Sequence, residues 1–227
     1  MEVKVALVGP SDVGKSSLIK FLKECNFENE NQDSNSYQES WGISVNVVEW
    51  DYQNPKTGQL HVLRFGLWES GGSFLKKFPF YNQYLLKDAN VVIYMLSLTL
   101  DENLSEKAKL LIEETRTQFQ NYRSQNSNQN LNEILLLTKV DQGYLINQNQ
   151  ISEVKQTCKG LGIENVQVIG IPFNERLLEN EDKEEENSLQ QQYIDQHGKI
   201  TNKSKARHAL ANQILNSLSE ASLKDQI

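Results

Sequence analysis

The chain has 227 residues, 38% of them hydrophobic and 23% charged, which supports one well-cored domain with an additional polar loop or tail and leaves no room for two large domains. Its 23 Lys and Arg against 30 Asp and Glu give a formal net charge of −7, so a broad basic face for nucleic acid or anionic lipid is not expected. Cys25 and Cys158 form no CxxC pair, no secretory leader pattern opens the chain, and no window approaches 18 consecutive apolar residues; the expectation is a cytoplasmic protein that does not span a membrane.

Val3–Val8 is a short apolar run that stops at Gly9-Pro10, and a helical pattern through Leu18, Ile19, Phe21 and Leu22 begins after Lys15. A polar stretch from Asn26 to Glu39 follows. Two strand-like runs, Ile43–Tyr52 and Leu60–Trp68, then flank Asn54-Pro55-Lys56-Thr57-Gly58, whose turn chemistry makes them antiparallel neighbours. Beyond a glycine pair the pattern predicts a helix over Leu75–Lys87, a buried strand over Val91–Leu96, a long helix from Leu104 to Tyr122, and a buried strand over Ile134–Leu137. A helix over Ile151–Leu161 and a last strand over Val166–Ile171, closed by Pro172, complete the alternation, which predicts a mostly parallel, doubly wound sheet. Gln118–Asn132 and Glu175–Lys203 are biased toward Asn, Gln, Ser and Glu and read as solvated loop or disorder, and Ala206–Leu218 returns to a helical apolar pattern.

Gly9-Pro10-Ser11-Asp12-Val13-Gly14-Lys15-Ser16 fits G-x-x-x-x-G-K-[ST] at every fixed position, between a strand and a helix. Chance supplies on the order of 0.01 such matches in a chain of this length, so an incidental glycine turn is set aside. The glycines let successive N–H groups of Ser11, Asp12, Val13 and Gly14 turn inward on a polyphosphate. The helix start at Lys15, Ser16 and Ser17 adds its positive end, Lys15 adds a full charge, and Ser16 offers a hydroxyl to Mg²⁺. A nucleoside triphosphate with Mg²⁺ is the expected ligand.

Thr138-Lys139-Val140-Asp141 resembles the [NT]-K-x-D guanine motif of small GTPases of the Ras and Rab type. The resemblance implies that Asp141 accepts two hydrogen bonds from guanine, which adenine does not offer, and that Lys139 lays its stem over the base. It further implies that Phe27 packs against the guanine edge and that Gly170 stands, loosely, in the S-A-K loop. Leu67–Ser73 stands where the family has W-D-x-x-G-Q: Glu69 replaces the aspartate that serves magnesium, Gly72 offers its N–H to the γ-phosphate, and Ser73 occupies the position of the water-orienting glutamine. Ras with its glutamine hydrolyses GTP at only about 3–5 × 10⁻⁴ s⁻¹, so slow intrinsic turnover is expected. Ser40-Trp41-Gly42-Ile43 resembles the switch I pattern T-x-G-[IV]. Ser40 is the first candidate for the hydroxyl closing on Mg²⁺ and the γ-phosphate, and Ser34 and Ser36 are the alternatives.

The implied fold is an α/β P-loop small G domain: a six-stranded, mostly parallel sheet with one antiparallel strand and helices on both faces. Residues 1–172 are its core, 173–203 an acidic and Gln-rich insertion, and 204–220 a C-terminal helix completing it. Gly42-Ile43, Trp50, Leu63-Arg64-Phe65, Trp68–Gly71 with Leu75–Phe78, and Lys139–Gln142 together resemble the Rem/Rab-like ciliary branch, the GTPase subunit of the ciliogenesis and planar polarity effector (CPLANE) complex. That resemblance implies GTP or GDP as ligand, effector binding through the switches, Inturned and Fuzzy as partners, a place at the basal body, and a monomer outside its complex. Met1-Glu2 and Leu223-Lys224-Asp225-Gln226-Ile227 signal neither myristoylation nor prenylation, so membrane contact is expected only through a partner. Trp41, Trp68, Phe78, Phe80 and Tyr81 bracket both presumed switches, as partner anchors or as residues packed on the sheet. Two rivals stand beside the switch. One is a subunit that holds GTP without turnover, suggested by Glu69 and Ser73. The other is a P-loop phosphotransferase, which needs an arginine lid, whereas Arg64, Arg116, Arg123, Arg176 and Arg207 are scattered.

Overall fold

The structure is a computed structural model, and it describes residues 1–26, 42–98, 103–122, 131–138, 148–168, 192–194 and 200–223. Six strands form one sheet: β1 (Glu2–Val8), β2 (Ile43–Gln53), β3 (Leu60–Ser70), β4 (Val91–Ser97), β5 (Asn132–Thr138) and β6 (Asn165–Val168). Their spatial order is β2-β3-β1-β4-β5-β6, with every neighbouring pair parallel except β2 with β3. The expected small G domain sheet is therefore the observed one. The helices are α1 (Lys15–Asn26), α2 (Gly72–Lys77), α3 (Asn82–Leu86), α4 (Leu104–Tyr122), α5 (Gln148–Gly160) and α6 (Lys203–Leu223).

Period-two alternation divides the core into two layers. Val3, Val5 and Leu7 of β1, with Leu63, Phe65 and Leu67 of β3, pack under α1 through Leu18, Phe21 and Leu22 and under α6 through Leu210, Ile214 and Leu218. Ala6, Val92, Tyr94, Leu96, Leu135 and Leu137 point the other way and meet Leu85 and Leu86 of α3, Ala108 and Ile112 of α4, and Val154 and Cys158 of α5. Trp50 Nε1 donates to Asn216 Oδ1 at 3.2 Å, tying β2 to α6.

The run read as one helix over Leu75–Lys87 is broken into α2, a single 3-10 turn Pro79–Tyr81, and α3. Pro79 has no N–H to give the Leu75 carbonyl, and its ring pushes Phe78 out of helical geometry, to φ −131° and ψ 67°. The β2–β3 turn forms as its residues require: Asn54 Oδ1 accepts from the Lys56 and Thr57 amides at 2.9 and 3.3 Å. Within the stretch read as insertion, Gln192–Ile194 (β7) pairs antiparallel with Ile200–Asn202 (β8). Among the described residues no helix is long and apolar enough to cross a membrane.

Candidate functional site

The chain leaves β3, passes β1 and enters β4 on the far side, so chain order reverses around β1, where open α/β sheets leave a crevice at the carboxyl ends of their strands. The segments singled out in the sequence converge there: the loop after β1, Glu69–Ser73 at the end of β3, and Thr138 at the end of β5.

The loop of residues 9–14 is held tightly from beneath. A Cβ at Gly9 would lie 2.4 Å from the Met95 carbonyl oxygen, so only glycine lets the loop settle on β4. Asp12 and Gly14 both take positive φ, 60° and 95°, which turns the chain through the curl. Val13 is buried, and its carbonyl accepts the Thr138 hydroxyl at 2.8 Å; the same hydroxyl lies 3.3 Å from the Leu96 carbonyl. Thr138, the first residue of the Thr138–Asp141 motif, thus braces the loop from inside the protein.

Lys15 opens α1 and is only 6% exposed. Its ammonium donates to the carbonyls of Gly9 at 2.9 Å and Pro10 at 2.7 Å, folding back across its own loop. The first turn of α1 contains no acidic residue, which leaves the positive end of the helix uncompensated by its own side chains. Ser11, Asp12, Ser16 and Ser17 lie at the exposed mouth.

Glu69 is 4% exposed and joins three elements. Its Oε2 accepts the Ser16 hydroxyl of α1 at 2.8 Å, and its Oε1 accepts the Ser44 hydroxyl of β2 at 3.1 Å. Ser44 and Glu69 are direct partners across the β2–β3 ladder. Gly72 follows at once, its backbone against the loop: a Cβ there would come 2.4 Å from the Ser11 nitrogen and 2.8 Å from its Cα. Ser73 stands with its hydroxyl 3.3 Å from that of Ser11, facing the phosphate loop.

These residues suit magnesium. A hydroxyl and a carboxylate are hard oxygen donors, they touch at the loop mouth, and among the described residues no cluster of three or more His, Cys, Asp or Glu is available to cage a metal alone. Mg²⁺ characteristically takes one or two protein oxygens and completes its shell with water and substrate phosphates.

Phe27, Ser34, Ser36, Ser40, Trp41, Lys139, Asp141 and Gly170 lie outside the described residues. Beyond Ser73 the chain carries a chain of ring contacts: Phe74 with Tyr81 at 5.0 Å, Phe80 with Tyr81 at 4.4 Å, Phe74 with Phe78 at 5.2 Å and Tyr81 with Tyr84 at 5.8 Å. Phe80 is 55% exposed, and Phe78 and Tyr84 are also exposed. Trp68 is half-buried beneath Lys4, whose Nζ lies 4.1 Å from its ring centroid and donates to the Tyr84 and Lys87 carbonyls at 2.8 and 2.6 Å. Burial is the main cause of the depressed Lys4 pKa. Ser44 and Lys4 were not singled out from the sequence. Nothing in a serine inside a strand run announces its partner until the ladder register is known.

The family model described as Ras of Complex, Roc, domain of DAPkinase matches residues 4–141, more than half of the chain. The chain belongs to this Ras-like GTPase family. A Roc domain of this Ras-like kind binds GTP and GDP, typically with Mg²⁺, and the family hydrolyses GTP. In this Roc domain the match runs from Lys4 in β1 to Asp141, the last residue of the Thr138–Asp141 motif, and so takes in the phosphate loop, Ser44 and Glu69. It carries the GTPase family and not the ciliary branch within it. No curated protein matches this Roc domain.

Proposed function

We propose that this chain is a GTP-dependent switch with slow intrinsic hydrolysis. The observation that carries the reading is the site itself: a buried lysine folded over the curled glycine loop after β1, beside a bond from Ser16 of α1 to Glu69 at the carboxyl end of β3. Lys15 exchanges its bonds to Gly9 and Pro10 for the β- and γ-phosphates, and the loop N–H groups of Ser11 to Ser17 face the same oxygens. Ser16, Glu69 and Ser40 hold the magnesium side. Mg²⁺ held there would supply positive charge against the terminal phosphates. Gly72 gives its N–H to the γ-phosphate. Asp141 and Lys139 select guanine, with Phe27 at the edge of the base, Gly170 nearby, and Thr138 acting through the loop it braces.

Slow chemistry follows from Ser73. Its side chain is too short to orient an attacking water as a glutamine amide does, and its hydroxyl faces Ser11. That contact also favours the second reading, a subunit that holds GTP without turning it over. The exposed rings of Phe78, Phe80 and Tyr84, continuous with Gly72 and Ser73, suit an effector that reads the order of this segment. The sequence resemblance supports Inturned- and Fuzzy-like effectors, a basal-body location and a role in cilium assembly.

The test pairs two variants of the full chain. Lys15→Ala abolishes nucleotide retention and nucleotide-dependent partner capture, and Asp141→Asn shifts preference from guanine toward xanthine nucleotide. Unchanged retention by the first variant removes the phosphate site, and unchanged base preference in the second removes Asp141 from it.

A further inference from the structure

We infer that Ser44 is a positioning residue for the divalent cation, a role that rests on the nucleotide reading above. The carboxylate of Glu69 is buried and held at both oxygens by hydroxyls from two different elements, Ser16 of α1 on Oε2 and Ser44 of β2 on Oε1.

The two hydroxyls have different duties. Ser16 has one proton and two lone pairs, so it keeps donating to Glu69 while turning a lone pair to a cation at the loop mouth. The acceptance by Glu69 draws electron density onto that oxygen and makes it a better metal donor. A glutamate, however, carries three side-chain torsions, and an anchor at one oxygen leaves the carboxylate free to swing about that contact. Ser44 removes this freedom. It stands directly opposite Glu69 in the ladder, at the second position of β2, so the backbone of the sheet itself fixes where the hydroxyl is. With both oxygens pinned, the plane of the carboxylate is set before any cation arrives, and Oε2 stays aimed at Ser16.

Outer-sphere partners of this type set metal affinity by about 10- to 100-fold. The experiment loads the full-length protein, its Ser44→Ala variant and its Ser44→Thr variant with a fluorescent guanosine diphosphate, and follows release against excess unlabelled nucleotide across a titration of free Mg²⁺. The expected result is a release curve for Ser44→Ala displaced to about tenfold or more higher magnesium, with Ser44→Thr, which keeps the hydroxyl, following the unmodified protein. Three results overturn the inference. A Ser44→Ala curve that coincides with the unmodified one shows that the hydroxyl positions nothing. Release accelerated equally at every magnesium concentration shows a merely structural effect. Absence of magnesium-dependent retention in the unmodified protein removes the nucleotide reading and this inference with it, and is told apart from the other two by needing no variant.

Discussion

Replacing Thr138 by Val separates a residue that touches the nucleotide from one that shapes the loop holding it. The two side chains are nearly isosteric, so the substitution removes the hydroxyl and little else. In the native structure that hydroxyl is buried, donates to the Val13 carbonyl at 2.8 Å and approaches the Leu96 carbonyl at 3.3 Å. The backbone bond from the Leu98 amide to the Thr138 carbonyl, at 2.8 Å, is untouched. Losing one neutral hydrogen bond costs about 1 kcal/mol, and leaving the Val13 carbonyl unpaired in the interior adds about 1 kcal/mol or more, so the expected destabilisation is about 2 kcal/mol. Only the part of this cost needed to re-form the loop around its ligand appears as nucleotide affinity, a loss of at most about 30-fold. Urea unfolding of the nucleotide-free protein and titration with fluorescent guanosine diphosphate measure the two quantities. Thr138→Ser, which keeps the donor, recovers most of both. A Thr138→Val protein within about 0.5 kcal/mol of the original, binding nucleotide unchanged, would refute the bracing role.

Three other outcomes follow from the same geometry. Lys4→Met removes the ammonium that holds the Tyr84 and Lys87 carbonyls and sits over Trp68, so stability falls by about 1 kcal/mol, and hydrogen exchange over residues 72–87 accelerates more than over β4; uniform protection would contradict it. Glu133→Leu takes away the carboxylate to which Arg116 donates at both oxygens and to which the Tyr94 hydroxyl donates at 2.6 Å, leaving the guanidinium its bond to the Leu161 carbonyl at 2.8 Å. With Arg116 partly exposed, the cost expected in urea unfolding is about 3 kcal/mol, and a loss below about 1 kcal/mol would argue that solvent already screens the pair. Burial of Cys158 pushes its thiol up to about 11 from 9.0. The folded pKa is the higher one, so this contribution is fully present below pH 9 and is lost as pH rises through 11. Stability therefore falls by about 1 kcal/mol per pH unit above pH 9; Tyr94, also raised, joins only above pH 10, and Cys158→Ala should flatten the slope between pH 9 and 10.

Much of this fold is legible because local and global preferences agree. The run Val3–Val8 is followed by a glycine loop and then a helix whose apolar residues recur at helical spacing, and packing that helix back on the strand buries both. The β2–β3 hairpin is equally legible, since Asn54 to Gly58 supply the turn and its side-chain acceptor. At Pro79 apolar periodicity continues as if through one helix, but the missing N–H divides it into α2 and α3. The site was legible in part for a different reason. A phosphate loop is written in consecutive residues, so Gly9 to Ser16 announce it, whereas the Ser44–Glu69 and Thr138–Val13 bonds join residues 25 and 125 positions apart. Their partnership depends on sheet register and strand order, which side-chain chemistry alone does not specify.

On the proposed function, the site holds a guanine nucleotide and turns it over slowly. Purification of the protein without added nucleotide, denaturation, and anion-exchange chromatography of the released ligand test it most directly. The expected ligand is guanine nucleotide, predominantly GTP. Adenine nucleotide, or no nucleotide at all, would contradict the reading of Asp141 and the phosphate loop, and predominantly GDP would contradict the assignment of Ser73 as the cause of slow hydrolysis.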